Sequence, residues 1–372
     1  MGKFLSTRFM NKDGYHLGER SRNKKIIKLN ANESPYPPSP KVVASVTDSL
    51  LEEQNFYSDP KSAELTRAIA EYYGVDPGQV FADSGSDVIL GYSLLAFGSD
   101  GDFAFPDVTY NFYKTFSNFF GVPYIEIPVQ KDFSVCADDY CGCGRNVILA
   151  NPNAPSGLVL SMEQIERIVA SNPDHLVIID EAYVDYGNES CIPLIKKYDN
   201  LLVIQTMSKS RNLAGARIGF AVSSAENIND LATMKAAFNP DSINNVSQAL
   251  GCAAVEDDAY MRSCVEKIIC TRETTRKALV RRGFEVGKSH TNFLFFKPPF
   301  VSAEQFYLDM KENGVLVRYY DQPRIRSYIR MTIGTDGQMK EVLAKIDSIL
   351  SEYSVSATSP AANRIDPVHA AV

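Results

Sequence analysis

The sequence lacks the features that mark several whole classes of protein. It has no apolar run near the roughly 20 residues that a membrane-spanning helix needs. It has no basic excess: 38 Lys and Arg stand against 45 Asp and Glu, a net charge of −7. A nucleic-acid partner is therefore not expected. The stretch "MGKFLSTRFMNKDGYH" has no apolar signal core, so the expected setting is cytoplasmic. Gly2 and Ser6 fit a myristoylation pattern, but one that short sequences often match by chance. Histidine is scarce, with four residues and no ligand spacing among them. Cysteine is odd in number at seven, and Cys136, Cys141 and Cys143 crowd into "CADDYCGCG" without the second pair of ligands that zinc needs. These read as reduced thiols in a turn, and no metal is expected. No G-x-G-x-x-G follows the first strand, which argues against a dinucleotide-dependent oxidoreductase. No internal repeat is visible.

What is present is a chain of 372 residues, long enough for about two domains. "NESPYPPSP" predicts a stiff, extended N-terminal arm. "KSAELTRAIAEYY" (61–73) has helical spacing and stops at Gly74. Short apolar runs follow: "QVFAD", "DFAF", "NVILA" (146–150), "HLVIID" (175–180), "LLVIQT" (201–206) and "RIGFAV". Helical stretches separate them, including an aromatic-rich one from Tyr110 to Phe120. This alternation predicts an α/β fold whose mostly parallel sheet is covered by helices on both faces. A long, mostly helical region from about 224 to 282 leads into a smaller α+β unit, with helices at 302–313 and 336–352. The expected division is an arm (1–45) joining the small domain, a large domain (46–275), a small domain (276–353) and a disordered tail (354–372).

In such sheets, ligands bind beyond the carboxyl ends of the strands. Polar residues gather at those ends. Gly85, Ser86 and Asp87 follow "QVFAD", "NPNAPSG" follows "NVILA", Asp180 closes "HLVIID", and Thr206, Ser208 and Lys209 close "LLVIQT". Each alone has a plain reading as a cap, a turn or a core ring. Together they suit pyridoxal 5'-phosphate. Lys209 offers an amine for its aldehyde, and Asp180 an anion for its ring nitrogen. Tyr183 and an Asn offer donors to its ring oxygen, and Tyr110 a ring to stack on it. The turn at Gly85–Asp87, with Ser208, Thr206 and Arg217, offers a cradle for its phosphate.

The chain resembles the fold-type I, pyridoxal-phosphate-dependent aminotransferases, and among them most resembles the histidinol-phosphate aminotransferases. The resemblance covers residues 15 to 350 or so. It is carried by "KLNANESPYPPSP", "FYSDP", "SGSDVIL", "PDVTYNFY", "NPNAPSG", "IIDEAYVDY", "TMSKSRNLAGARIGF" and "IRMTIGT". It implies Lys209 as the cofactor-bonding lysine, Asp180 at the pyridine nitrogen and Tyr183 at the ring oxygen. It implies that Tyr57 reaches the cofactor phosphate of a second subunit in a homodimer, and that Arg330 binds the substrate carboxylate. One position departs from the family: Ala154 stands where Asn is usual, and Asn153 is expected to take over its contact by a small backbone adjustment. The expected reaction passes an amino group between histidinol phosphate and 2-oxoglutarate. Arg318 is expected to assist Arg330, and Tyr15 and Asn32 to close over the substrate. Threonine-phosphate decarboxylation and aromatic amino-acid transamination are alternatives on the same scaffold. A sensor domain of a regulator is disfavoured, because residues 1 to 30 are too short for a DNA-binding segment.

Overall fold

The computed structural model describes residues 3–9, 14, 19, 25–98 and 102–358. Gly2, Tyr15 and residues 359–372 lie outside the described residues, so the expectations placed on them are not addressed. Strands in chain order are β1 (Ile27–Lys28), β2 (Val80–Asp83), β3 (Phe103–Pro106), β4 (Tyr124–Ile127), β5 (Asn146–Ala150), β6 (Val177–Asp180), β7 (Leu201–Thr206), β8 (Gly219–Val222), β9 (Glu285–Val286), β10 (Phe293–Lys297), β11 (Val315–Leu316), β12 (Arg318–Tyr319) and β13 (Ile329–Thr332).

The large sheet has the order β2-β8-β7-β6-β5-β3-β4. β3 to β7 are mutually parallel, and β8 runs antiparallel to both β7 and β2. Every residue of β5, β6 and β7 is buried. Successive side chains enter opposite cores: Val147, Ile179 and Val203 pack on one face, Ile148, Ile178 and Ile204 on the other. Each such side chain stabilises the fold by roughly 1.5–3 kcal/mol. The helix Ala63–Tyr73 covers the first face with Leu65 and Ile69, and Gly74 ends it at φ 65°. The helix Ser86–Phe97 covers the second with Ile89, Leu90 and Leu94. β4 was not legible in the sequence. It is an edge strand with one neighbour and no buried residue, so it carries little hydrophobic signal.

A second sheet, β12-β13-β10-β9, belongs to the C-terminal unit. The helices Ala303–Glu312 and Asp336–Thr358 pack on its core. So does the helix Asp258–Arg281, through Met261, Val265, Ile268 and Leu279. These recur at helical spacing, so one stripe of the whole helix is committed to the C-terminal core. The division expected at 276 falls inside this helix, and we propose a boundary near Asp258. Residue 354, where the tail was expected to begin, lies within the last helix. The last helix runs to Thr358, since no Gly or Pro interrupts the chain before Pro360. The arm lies along the C-terminal unit: Ile27 and Lys28 pair in parallel with Val315 and Leu316, and Thr332 N donates to Leu29 O at 2.9 Å.

Around the turn Ala137–Tyr140, Cys141 Sγ donates to Ala137 O and Cys143 Sγ to Arg145 O. Among the described residues, no helix is long and apolar enough to cross a membrane.

Ile268→Ala tests the revised boundary. It should cost about 2–5 kcal/mol in denaturant unfolding. Amide exchange should rise in β10 and β13 and stay slow in β5 to β7; the reverse pattern would return this helix to the large unit.

Candidate active site

The parallel strands end at one edge, and their register fixes which side chains meet there. Asp180, the last residue of β6, pairs with Ala150 and Ile204; Thr206, the last of β7, pairs with Gly219, which also pairs with Asp83. A cleft of about 440 Å³ opens between this edge, the arm and the C-terminal sheet. It brings together twelve of the residues expected there: Asn32, Ser86, Asp87, Tyr110, Asp180, Tyr183, Thr206, Ser208, Lys209, Arg217, Arg318 and Arg330.

One end is built for an anion. The Ser86–Phe97 helix begins there, and Gly85 precedes it at φ 92°. Glycine is required twice. A Cβ on Gly85 would sit 2.6 Å from Arg217 Nη2, and one on Gly219 would sit 2.2 Å from Ser86 N. Arg217 itself is left-handed, at φ 54°. Its polar contacts are all long: 3.4 Å to Asp87 Oδ2, 3.5 Å to Ser208 Oγ and 3.4 Å to Ala214 O. Such distances leave the guanidinium largely uncommitted. Ser208 N donates to Thr206 Oγ1 at 3.2 Å, so the two hydroxyls sit side by side beneath it.

The middle holds a carboxylate and an amine. Asp180 is buried; its Oδ2 accepts from Tyr113 Oη at 2.7 Å and its Oδ1 from Ala182 N at 3.1 Å. Burial pushes its carboxyl up to about 6, against the pull of both hydrogen bonds. Lys209 is pushed the other way, to about 8, by burial first and Arg330 second; Asp87 and Glu33 oppose the shift. Its Nζ lies 5.7 Å from the centroid of the Tyr183 ring. Tyr183 Oη accepts from Asn32 Nδ2 at 2.8 Å. Asn32 is held left-handed (φ 54°) by Thr332 Oγ1, which accepts from its backbone N at 3.0 Å, and by Asn292 Nδ2, which donates to its carbonyl at 3.0 Å. Tyr110 Oη donates to Asp87 Oδ1 at 2.8 Å.

The other end carries two arginines. Arg318 on β12 and Arg330 on β13 are directly opposed cross-strand neighbours. Both guanidinium groups lie near the Tyr320 ring, at 5.3 and 5.7 Å. Arg330 Nη2 donates to Asn30 O at 3.0 Å, and its buried Nε has no acceptor. Like charges directly opposed are unfavourable unless an anion lies between or beside them.

Among the described residues, the side chain of Asn153 does not line this cleft, and that of Tyr57, expected at a second subunit's cofactor, lies elsewhere. Asn153 is turned into its own loop: its Nδ2 donates to Val108 O at 2.9 Å and its Oδ1 accepts from Thr109 Oγ1 at 2.8 Å. Ala154 faces the cleft in its place. Both ends of its amide are engaged there, so the expected contact would require these two hydrogen bonds to be exchanged. Tyr57 is 90% exposed on the outer surface. Sequence reasoning missed Tyr113, although it stands one helical turn from Tyr110. It also missed Asn292 and Thr332, for which nothing local gave a signal.

The shifted amine is measurable. In the cofactor-free chain, acylation of Lys209 should follow a midpoint near pH 8, read by peptide mass spectrometry. Arg330→Met should move that midpoint up, since Arg330 disfavours the ammonium form. With a folded value below the ordinary 10.5 of a lysine, burial of Lys209 carries a penalty that is relieved, so that stability rises, as pH climbs from about 8 toward 10.5. A midpoint near 10 in the unmodified chain would contradict the desolvated site.

Residues 24–346 match the model of the family "Aminotransferase class I and II". The chain is 43% identical to the histidinol-phosphate aminotransferase of Brachyspira hyodysenteriae, over 94% of this chain and 99% of that one. It is 42% identical to the histidinol-phosphate aminotransferase of a Marinomonas species, over 94% of this chain and 100% of that one. Among solved structures, the histidinol-phosphate aminotransferase of Sinorhizobium meliloti, in complex with pyridoxal-5'-phosphate, matches its fold with a TM-score of 0.82 at 21% identity, over 96% of this chain and 99% of that one. With a family model across most of its length and relatives above 40% identity, the chain belongs to the class I and II aminotransferases, enzymes that pass an amino group from a donor to a 2-oxo acid.

Proposed function

We propose that this aminotransferase exchanges the amino group of histidinol phosphate with 2-oxoglutarate, as part of histidine biosynthesis in the cytoplasm. The observation that carries the substrate is the opposed pair Arg318 and Arg330. Two guanidinium groups facing one cleft match a phosphate dianion in one half of the cycle and a dicarboxylate in the other. The relatives' names point to the same substrate.

The cofactor is pyridoxal 5'-phosphate, and the residues present fit it. When bound, it supplies an electron-withdrawing ring that stabilises negative charge at the substrate's Cα. Lys209 would hold its aldehyde end and Asp180 its ring nitrogen. Tyr183 would hold its ring oxygen, with Asn32 rather than Asn153 behind it. The Gly85–Ser86–Asp87 turn, Thr206, Ser208 and Arg217 would hold its phosphate, and Tyr110 its ring face. An amine whose value sits near 8 is partly neutral at physiological pH. Lys209 Nζ can therefore accept the proton from the substrate's Cα. The carboxylate of Asp180 would find in a protonated ring nitrogen the cation that its buried position otherwise lacks.

The functional unit we propose is a homodimer. Tyr57 (90%), Phe56 (69%) and Leu51 (50%) are exposed apolar side chains within seven residues of chain, exposure that solvent does not favour. Covered by a second copy, Tyr57 would reach that copy's cofactor phosphate.

The test is turnover of purified protein with histidinol phosphate. Glutamate should form only when 2-oxoglutarate is supplied, and no carbon dioxide should be released. Carbon dioxide release from threonine phosphate would support the decarboxylase, and preference for unphosphorylated aromatic amines the aromatic aminotransferase. Lys209→Ala should lower kcat by about 10²–10⁴-fold. Arg318→Ala should raise KM for the phosphorylated donor about 10- to 100-fold, the equivalent of one charged hydrogen bond. Unchanged kinetics would remove Arg318 from the site.

A further inference from the structure

Asp180 and Glu181 are adjacent carboxylates, and they point to opposite faces of the sheet. Asp180 faces the cleft with Tyr113. Glu181 faces the core on the other side, and the reaction proposed above does not use it. It is nonetheless 1% exposed, and three donors converge on it. Ser190 Oγ donates to its Oε2 at 2.6 Å, Gln205 Nε2 to the same oxygen at 2.8 Å, and Cys191 N to its Oε1 at 2.7 Å. Burial still pushes its carboxyl up to about 7. Gln205 is the residue before Thr206, and its Oε1 accepts in turn from Tyr73 Oη at 2.7 Å.

Four residues past Glu181, a second carboxylate repeats the arrangement. Asp185 Oδ2 accepts from Ser210 Oγ at 2.5 Å, and Ser210 is the residue after Lys209. The stretch 205–210 is therefore tied to the stretch 181–185 at both ends. Lys209 lies between the two ties on one stretch; Asp180 and Tyr183 lie at the start and middle of the other. Beyond β7, which ends at Thr206, the backbone bonds at this turn are few: Met207 N donates to Ile218 O at 3.0 Å, and Asn212 N to the Lys209 carbonyl at a long 3.3 Å.

We propose that Glu181 and Asp185 are positioning residues: a two-point clasp that fixes where the Lys209 amine stands relative to Asp180 and Tyr183. The proposal rests on the roles assigned above to Lys209 and Asp180. The clasp acts on geometry. Neither carboxylate touches the cleft, and the proton chemistry stays with Lys209. A displacement of about 1 Å at a reacting amine lowers rate by up to about 10²-fold without weakening substrate binding in proportion.

The test compares Ser210→Ala, Glu181→Leu and the exchange Glu181→Gln with Gln205→Glu, which restores a carboxylate–amide contact with its ends reversed. Ser210→Ala and Glu181→Leu should each lower kcat about 10-fold or more, with KM for the amino donor within about threefold of the unmodified enzyme. In the cofactor-free chain, deuterium uptake over 206–213 should at least double, roughly, while β5 and β6 stay protected. The exchange should recover most of the lost kcat. Should Glu181→Leu fail to fold, Ser210→Ala and the exchange decide the matter alone. A folded Ser210→Ala enzyme with kcat within twofold of the unmodified one and unchanged uptake at 206–213 overturns the clasp. Absence of transamination in the unmodified protein would instead overturn the function on which the clasp rests.

Discussion

Everything in the cleft depends on two charges held where neither is comfortable. Burial is the largest influence on both Asp180 and Lys209, and it pushes the acid up and the base down. The two shifts converge on neutral pH, where each group lies within reach of either protonation state. A buried carboxylate needs compensation, and Tyr113 and the Ala182 amide supply part of it. For the amine, Asp87 and Glu33 offset only part of the shift, and burial, Arg330 and Arg217 outweigh them. A site that leaves an acid short of a cation and a base short of an anion is suited to a ligand carrying both a protonatable ring nitrogen and an aldehyde.

The scaffold keeps these groups in place by register rather than by their own contacts. The parallel pairing of β5, β6 and β7 sets Asp180 level with Ala150 and Ile204. β8 then returns antiparallel, and this reversal is what brings Arg217 back to the strand ends after the chain has left them at Thr206. The close approach at Gly219 lets β8 lie against the turn at Ser86. A sheet with β8 parallel would carry Arg217 to the opposite edge, away from the helix start it now faces. The arm reaches the same place from the other direction. Its pairing with β11 sets Asn32 beside Thr332, and Asn32 then meets the Tyr183 hydroxyl.

The parts legible in the sequence are those where a local pattern determines a position. The runs ending at Asp180 and Thr206 could only be buried strands, so the polar residues just beyond them had to gather at one edge. Gly85 was legible because a glycine before a helix start admits a close neighbour. The direction of β8 was not legible, because "RIGFAV" alternates identically whichever way it runs. The opposition of Arg318 and Arg330 depends on a strand register set across a nine-residue connection. The direction of the Asn153 side chain was not legible for a related reason. In an irregular turn, neighbouring side chains follow no fixed alternation, and proximity in sequence says little about direction. Which core the helix Asp258–Arg281 serves was not legible, because its apolar stripe could have served either. Tyr113 needed the orientation of a helix about its axis, which packing against Phe105 and Tyr110 decides.

The arginine pair bears on how one cleft accepts two unlike substrates. Histidinol phosphate and glutamate differ in shape and in the geometry of their anions, so a site shaped to one would reject the other. A pair of cross-strand guanidinium groups over one tyrosine ring specifies charge and approximate distance more than outline. Arg330 is partly anchored, by the Asn30 carbonyl, yet keeps a buried Nε without an acceptor. An anion that reaches this Nε relieves an unsatisfied donor and offsets the repulsion between the two strands in the same step. That double relief is available to a carboxylate and to a phosphate alike. A neutral aromatic side chain provides neither, which is the physical reason to favour a charged donor at this end of the cleft.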